Sequence, residues 1–250
     1  MAGNPLTDIF RIKELKDRIL FTLFWLVVFR LGVFLPIPGI NASALQSYFA
    51  SQAGGSSGIT DYLDFFAGGA FKNFSVFMMG VMPYISTQII IQLLLIVFPK
   101  MKQIAEEDGG RKKISRWTRI GTLGVCVIQG YSTTIWADRI PNAIVMSSRG
   151  LYTFIAILTV TTGTMFLVWI GEQITKRGIG NGVSLIIFAG IVARLPNASF
   201  ELIKRIQSGE INAVYAIVVL LMFVGVVALV VLEQQGQRKI PVNYAKRVVG

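Results

Sequence analysis

Histidine is absent from all 250 residues. With it go the Ser/His and Cys/His catalytic arrangements, the HExxH metal motif and any histidine-based proton relay. Cysteine occurs once, at Cys126, so the chain holds no internal disulfide and no cysteine-based metal site. Charge is scarce as well: Asp, Glu, Lys and Arg make up 15% of the residues, where about a quarter is usual. The scarcer sign is negative, 13 Asp and Glu against 24 Lys and Arg, for a formal net charge of +11. What fills the chain is apolar. Hydrophobic residues reach 53% and the mean hydropathy is +0.62, which excludes a disordered or collagen-like chain.

The apolar residues come in blocks near the length that a helix needs to cross a bilayer core, about 20 residues. The blocks run over Ile19–Leu35, Phe74–Phe98, Ile120–Ala137, Gly150–Gly171, Gly178–Ala193 and Ile211–Leu232. Six spanning helices are therefore expected, after a cytoplasmic amphipathic N-terminus over residues 1–18. The first block is not read as a signal peptide: no small-residue cleavage site follows it, Pro36 and Pro38 come at once, and Arg30 would interrupt an h-region. Asn41–Thr60 has no Lys or Arg and reads as an outside loop. Asp61–Phe71 is apolar and aromatic but too short to span. With the following block it reads as one broken helix, a short re-entrant first part and a long second part containing Pro83, tolerated only where protein or a water-filled cavity surrounds the freed backbone groups; an interfacial helix followed by an ordinary span is the alternative.

Orientation follows from the cations. Four of them before Ile19, seven in the basic loop Pro99–Arg119, Lys176 with Arg177, and four in the stretch Arg238–Arg247 fall on one side, leaving six for the other and Arg30 within the membrane. That asymmetry predicts both ends of the chain inside. The basic, partly alternating stretch before Gly250 carries no terminal helix or stop, so the chain is expected to be the first part of a longer polypeptide. Arg30, at membrane depth, is expected to snorkel or to pair with a partner that the sequence does not name. Glu172 and Arg194 near span ends read as interfacial. The GIGNG run at Gly178–Gly182 lacks a P-loop lysine and follows no strand, so it reads as a tight helix entrance.

Four runs are specific in identity as well as in spacing: FSVFMMGVMPYISTQIIIQLL at Phe74–Leu94, GGRKKISRWTR at Gly109–Arg119, GEQITKRGIGNGVSLIIFAGIV at Gly171–Val192 and RKIPVNYAKR at Arg238–Arg247. With FRLGVFLPIPGI at Phe29–Ile40 they resemble the SecY family, the channel subunits of the bacterial protein translocase, across essentially the whole chain. MPYIS and VNYAKR resemble the bacterial form more than the archaeal or eukaryotic one. The resemblance implies an all-α polytopic membrane protein with ten spanning helices in two inverted halves. This chain would supply the first half (residues 19–205, spans one to five), the sixth span (211–232) and the start of a basic cytoplasmic loop (233–250). It further implies a multi-pass location in the bacterial inner membrane and a channel that passes unfolded preproteins and releases signal sequences or membrane segments into the lipid bilayer. SecE, SecG, the SecA motor and the ribosome would be partners, and no cofactor or catalytic residue is implied.

Site residues follow from the same resemblance. Val81 and Ile85, and Val183 and Ile187, are each spaced i,i+4 on one helix face. By spacing alone they are packing residues; the resemblance makes all four an aliphatic pore ring, narrow enough to dewet. Residues 60–71, with Asp61, Tyr62, Leu63, Phe65, Phe66, Gly68 and Gly69, resemble the plug, its glycine pair a hinge and its displacement expected to break only a few contacts. Ser86 and Gln129, polar groups inside apolar spans, read either as ordinary interhelical glue or, by resemblance, as part of a lateral gate. Arg238, Lys239, Lys246 and Arg247 serve topology or anionic lipid; the resemblance adds docking of the ribosome or SecA.

Two other classes fit less well. A secondary transporter also builds midplane sites from broken helices, but the middles of these spans contain no Asp or Glu to couple ions. An intramembrane enzyme needs a nucleophile with a base or a metal cluster, and the spans offer neither histidine nor paired carboxylates.

Overall fold

A computed structural model describes residues 12–52 and 64–236. These are helical, with the isolated bridges Pro36–Ser75 and Ile40–Ile144 as the extended pairings recorded among the described residues. In chain order the helices are α1 (Lys13–Gly32), α2 (Ala42–Gln52), α3 (Met82–Val97), α4 (Pro99–Glu106), α5 (Gly110–Asp138), α6 (Arg149–Arg177), α7 (Gly182–Val192), α8 (Leu195–Gln207) and α9 (Ala213–Gln235). The chain divides into two compact units, Met1–Leu195 and Pro196–Gly250.

Several boundaries differ from the sequence expectation, each for a local reason. The outside loop Asn41–Thr60 contains α2, capped by Asn41, whose Oδ1 accepts from Ser43 N at 3.1 Å and from Ala44 N at 3.4 Å. The basic loop Pro99–Arg119 is helical at both ends: α4 opens on Pro99 and α5 already begins at Gly110. The break between α3 and α4 falls at Phe98, held extended ahead of a proline, and the two helices meet at 106°. The long part of the broken second span is Met82–Val97 rather than Phe74–Phe98. Pro83 does not kink it; it stands in the first turn, where a missing N–H costs no hydrogen bond.

Ahead of α3 the chain is irregular from residue 67 to 81. Phe74 takes a positive φ of 44° while almost fully buried, its ring stacked on Trp136 at 5.6 Å. That conformation is strained for an aromatic residue. Neighbouring backbone offsets it: Phe74 O accepts from Ile37 N at 2.8 Å, and Val76 N donates to Leu35 O at 2.9 Å. The non-helical chain is thus satisfied inside the protein, as backbone at membrane depth must be.

By length and apolarity alone, α6, the stretch Gly182–Gln207 and Val214–Gln235 can cross a membrane, as can α3 with α4 if the bent pair counts as one span. The other two expected spans, α1 and α5, are long enough but less apolar. The start of α1 carries Lys13, Glu14, Lys16, Asp17 and Arg18, and Arg30 stands in its last turn. α5 spends its inner face on small residues: Thr118, Thr122, Cys126, Gly130 and Thr134 recur every four positions and all are buried. Such a stripe lets helix backbones approach closely, as Gly130 does to Ile157 of α6. The buried hydroxyls bond back into their own helix, Thr118 to Ile114 O at 3.0 Å and Thr122 to Thr118 O at 2.7 Å. The result is an all-α polytopic fold with two apolar cores. One gathers Phe29, Val33, Phe77, Val81, Ile170, Ile174 and Ile186; the other gathers Ile37, Leu45, Phe74, Met78, Tyr152 and Val160.

Candidate functional site

The first core opens on one side into a concave cavity of about 480 Å³ between α3, α6 and α7, lined by Ile85, Val183 and Ile187. Val81, the residue before α3, is buried in the core beneath, against which the other three pack. Local chemistry fixes α7 in this register. Asn181 caps it, Oδ1 accepting from Val183 N at 3.1 Å and Ser184 N at 3.2 Å, and Gly180 supplies the turn before it with φ 65°. Gly182 presses so closely on Gly171 O that a side chain has no room. The GIGNG run is therefore the tight entrance to a helix. The rest of the cavity wall is polar: Tyr84, Gln88, Glu172, Thr175, Lys176, Asn181 and Ser184. An aliphatic patch with a polar mouth can exclude water at its narrow part and admit it elsewhere.

Ser86 faces another way. It lines a groove of about 310 Å³ together with Gln129 of α5 and the side chains of Met78, Met79 and Met82. Turning the helix by one residue, from Ile85 to Ser86, thus moves from the cavity with α7 to the groove with α5. Methionine is a soft, adaptable lining for such a groove.

The plug candidates divide. Asp61, Tyr62 and Leu63 lie outside the described residues. Of the rest, Phe65 is exposed, Phe66 is half-buried, and Gly68 and Gly69 both take positive φ, 66° and 94°. The expectation that this segment lacks strong partners needs correcting. Asp64, completely buried, stands with Oδ2 2.7 Å from Arg194 Nη2, while its Oδ1 accepts from Lys72 N at 2.9 Å. Arg30 finds its partner here too: Nη1 donates to Gly68 O at 2.7 Å, with the guanidinium 5.4 Å from the Phe34 ring centre. Gly68 is less a free hinge than a packing point, since a Cβ there would come 2.8 Å from Gly190 Cα of α7. Arg194, just past the end of α7 and 31% exposed, is thus anchored to the turn through Asp64.

Glu172 likewise has partners the sequence did not name. Arg119 of α5 grips it with two of its nitrogens, Nε donating to Oε1 at 3.0 Å and Nη2 to Oε2 at 2.6 Å, and Lys176 stands 3.7 Å away. A bidentate guanidinium pair fixes orientation as well as distance, so it joins spans three and four at the polar mouth of the cavity. The docking candidates Arg238, Lys239, Lys246 and Arg247 lie outside the described residues. Among the described residues no group of three His, Cys, Asp or Glu side chains could hold a metal ion.

A sequence model described as SecY matches residues 75–250. Over 214 residues the chain is 51% identical to the protein translocase subunit SecY of Borreliella burgdorferi, covering 85% of this chain and 49% of that protein. It is 42% identical to the subunit of the same name from Vibrio cholerae serotype O1, over 100% of this chain and 57% of the relative. The chain therefore spans about half the length of these curated relatives. Among solved structures, Sec61 in the canine ribosome-channel complex from the endoplasmic reticulum superposes with a TM-score of 0.61 at 18% identity, over 90% of this chain and 49% of that one. That likeness shows the fold.

Proposed function

The chain belongs to the SecY family, and from that premise we propose that it is the first half, with the sixth span, of a protein-conducting channel in the bacterial inner membrane. Unfolded polypeptides pass through it, and signal sequences or membrane segments leave it sideways into lipid. The observation that carries the reading is the convergence of Ile85, Val183 and Ile187, from two helices, on one cavity wall above the buried Val81. Short aliphatic side chains in a ring suit such a passage. When empty, the constriction dewets and stops ions; when occupied, its rotamers yield to any sequence. A groove carrying Ser86 and Gln129 on the other side of α3 supports a lateral gate, because modest interhelical polar contacts of about 1 kcal/mol can be outcompeted by an arriving apolar helix.

Both ends of the chain are cytoplasmic in this reading. Supporting it, Ser51 of α2, on the stretch read as outside, and Asn142, which falls between the third and fourth spans and so opposite the basic loop, line one and the same pocket, whereas the basic start of α5 leads to the Arg119–Glu172 pair at the cavity mouth. The remaining spans come from a further part of the protein, the small subunits SecE and SecG pack against it, and SecA or the ribosome docks on the cytoplasmic side. Arg238, Lys239, Lys246 and Arg247 contribute to that docking. Reversing all four charges is expected to weaken ribosome or SecA binding most at low salt; unchanged binding leaves them a topology role only.

The pore ring is tested in the complete polypeptide reconstituted in a bilayer. Ile85→Asn and Ile187→Asn are expected to raise ion conductance in the absence of a translocating chain, while Ile187→Leu stays at the parent level. If both asparagine variants conduct no more than the parent, these residues are ordinary packing and the channel reading loses its main support.

A further inference from the structure

We infer that Asp64 and Arg194 form a one-sided charge lock that keeps the plug-like segment inside the protein, an inference that rests on the channel reading and adds to it the residues that hold the closed state.

The geometry has three parts. First, Asp64 closes its own turn: its carboxylate accepts from Lys72 N at 2.9 Å and its backbone carbonyl accepts from Gly69 N at 3.0 Å. The carboxylate is built into the segment and moves with it. Second, the two guanidiniums that grip the turn come from elsewhere in the fold. Arg194, just past the end of α7, reaches Asp64 Oδ2 at 2.7 Å, and Arg30, in the last turn of α1, donates to Gly68 O at 2.7 Å. Third, the segment is seated by contact: a Cβ on Gly68 would come 2.8 Å from Gly190 Cα, and one on Gly190 would come 3.3 Å from Gly68 Cα.

The two charges are not equivalent in their access to water. Asp64 is 0% exposed and the Arg194 side chain 31%. If the pair is broken from the arginine side, a carboxylate is left buried without a counter-charge, which is strongly unfavourable. It reaches water only by carrying its turn out of the core. If the pair is broken from the aspartate side, Arg194 turns its charge to water, and the turn stays seated on Gly190 and tethered through Arg30. Loss of Arg194 therefore ejects the segment, loss of the Asp64 charge does not, and removing both relieves the defect that removing Arg194 creates.

The test reads the segment directly. Ala67 is 4% exposed, and the native thiol Cys126 is buried, so Ala67→Cys in the complete membrane protein reports movement of the turn over a quiet background. With a membrane-impermeant maleimide added on the outer side, Arg194→Ala is expected to speed labelling by about tenfold or more, as expected for an unpaired buried charge. Asp64→Asn should stay within about twofold of the parent, and the double variant Asp64→Asn/Arg194→Ala should return to that level. Arg194→Lys keeps the charge and should label slowly, which separates a lock from general misfolding of the alanine variant. Labelling of Arg194→Ala at the parent rate overturns the lock. So does a double variant labelled as fast as Arg194→Ala alone, because Arg194 would then act through something other than Asp64. The Ile187→Asn conductance is measured alongside: a leaking ring with an immobile turn rejects the lock alone, whereas a mobile turn with a silent ring rejects the channel reading and keeps the lock.

Discussion

Two guanidinium–carboxylate pairs of nearly identical length hold this fold, and they do different work. Arg194 meets Asp64 at 2.7 Å and Arg119 meets Glu172 at 2.6 Å. The first joins a completely buried carboxylate to an arginine at the end of α7. The second joins two helices at a polar cavity mouth, with side chains 46% and 20% exposed. Distance alone would rank them equal. Solvation does not, because a buried charge deprived of its partner has no water to replace it, whereas an exposed one is rehydrated and screened. A buried pair therefore sets a position that is either kept or abandoned, and a surface pair biases one.

The comparison is broken or sharpened most by parallel double-mutant cycles read from thermal unfolding in detergent. Arg194→Ala is expected to cost about 3 kcal/mol, the lower end for a broken buried pair because Arg194 is itself partly solvated. Most of that cost should vanish in the background of Asp64→Asn. Arg119→Ala should cost about 1 kcal/mol or less once solvent screening is allowed for, and raising the salt concentration should shrink its coupling to Glu172 while leaving the Asp64–Arg194 coupling nearly unchanged. Equal couplings for the two pairs, or equal salt sensitivity, would show that burial is not what distinguishes them.

The same contrast explains what could be read from the sequence. Apolar block length marked where long helices form, because a run of bilayer length is local in sequence, although by length and apolarity three of the described helical stretches, or four with the bent pair, can cross a membrane. The i,i+4 pairs Val81/Ile85 and Val183/Ile187 were legible for the same reason: helix geometry alone puts each pair on one face. That Ile85, Val183 and Ile187 line one cavity is a tertiary fact that spacing within a helix does not give. Asp64 and Arg194 carried no such signal. They are far apart in the chain, and nothing local ties a carboxylate before α3 to an arginine after α7. Arg30 left half a signal: the expense of a cation at membrane depth implied a partner, but the partner is a backbone carbonyl, which every residue has. The helices inside the connecting stretches were hidden for a different reason. Asn41–Thr60 and Pro99–Arg119 were judged by polarity, while their helices are set by an asparagine cap and by a proline at a first turn. Polarity reports solvent, not backbone conformation.

The smallest effect is expected at Lys176, and it tests whether the cavity-mouth network has a third member or only a bystander. Its Nζ is 3.7 Å from Glu172 Oε2, too long for a hydrogen bond, and the side chain is 64% exposed. It sits one helical turn after Glu172, a spacing at which exposed pairs contribute about 0.3 to 0.5 kcal/mol. Glu172, meanwhile, already has both oxygens engaged by Arg119. Lys176→Ala should therefore shift the unfolding midpoint hardly at all in the parent. In the Arg119→Ala background Lys176 is the cation left beside Glu172, and its removal should cost more, by up to about 0.5 kcal/mol at low salt and by nothing measurable at high salt. If Lys176→Ala is as costly in the parent as in the Arg119→Ala background, the bidentate pair does not satisfy Glu172 by itself, and the mouth is a three-membered network whose loss is shared between α5 and α6.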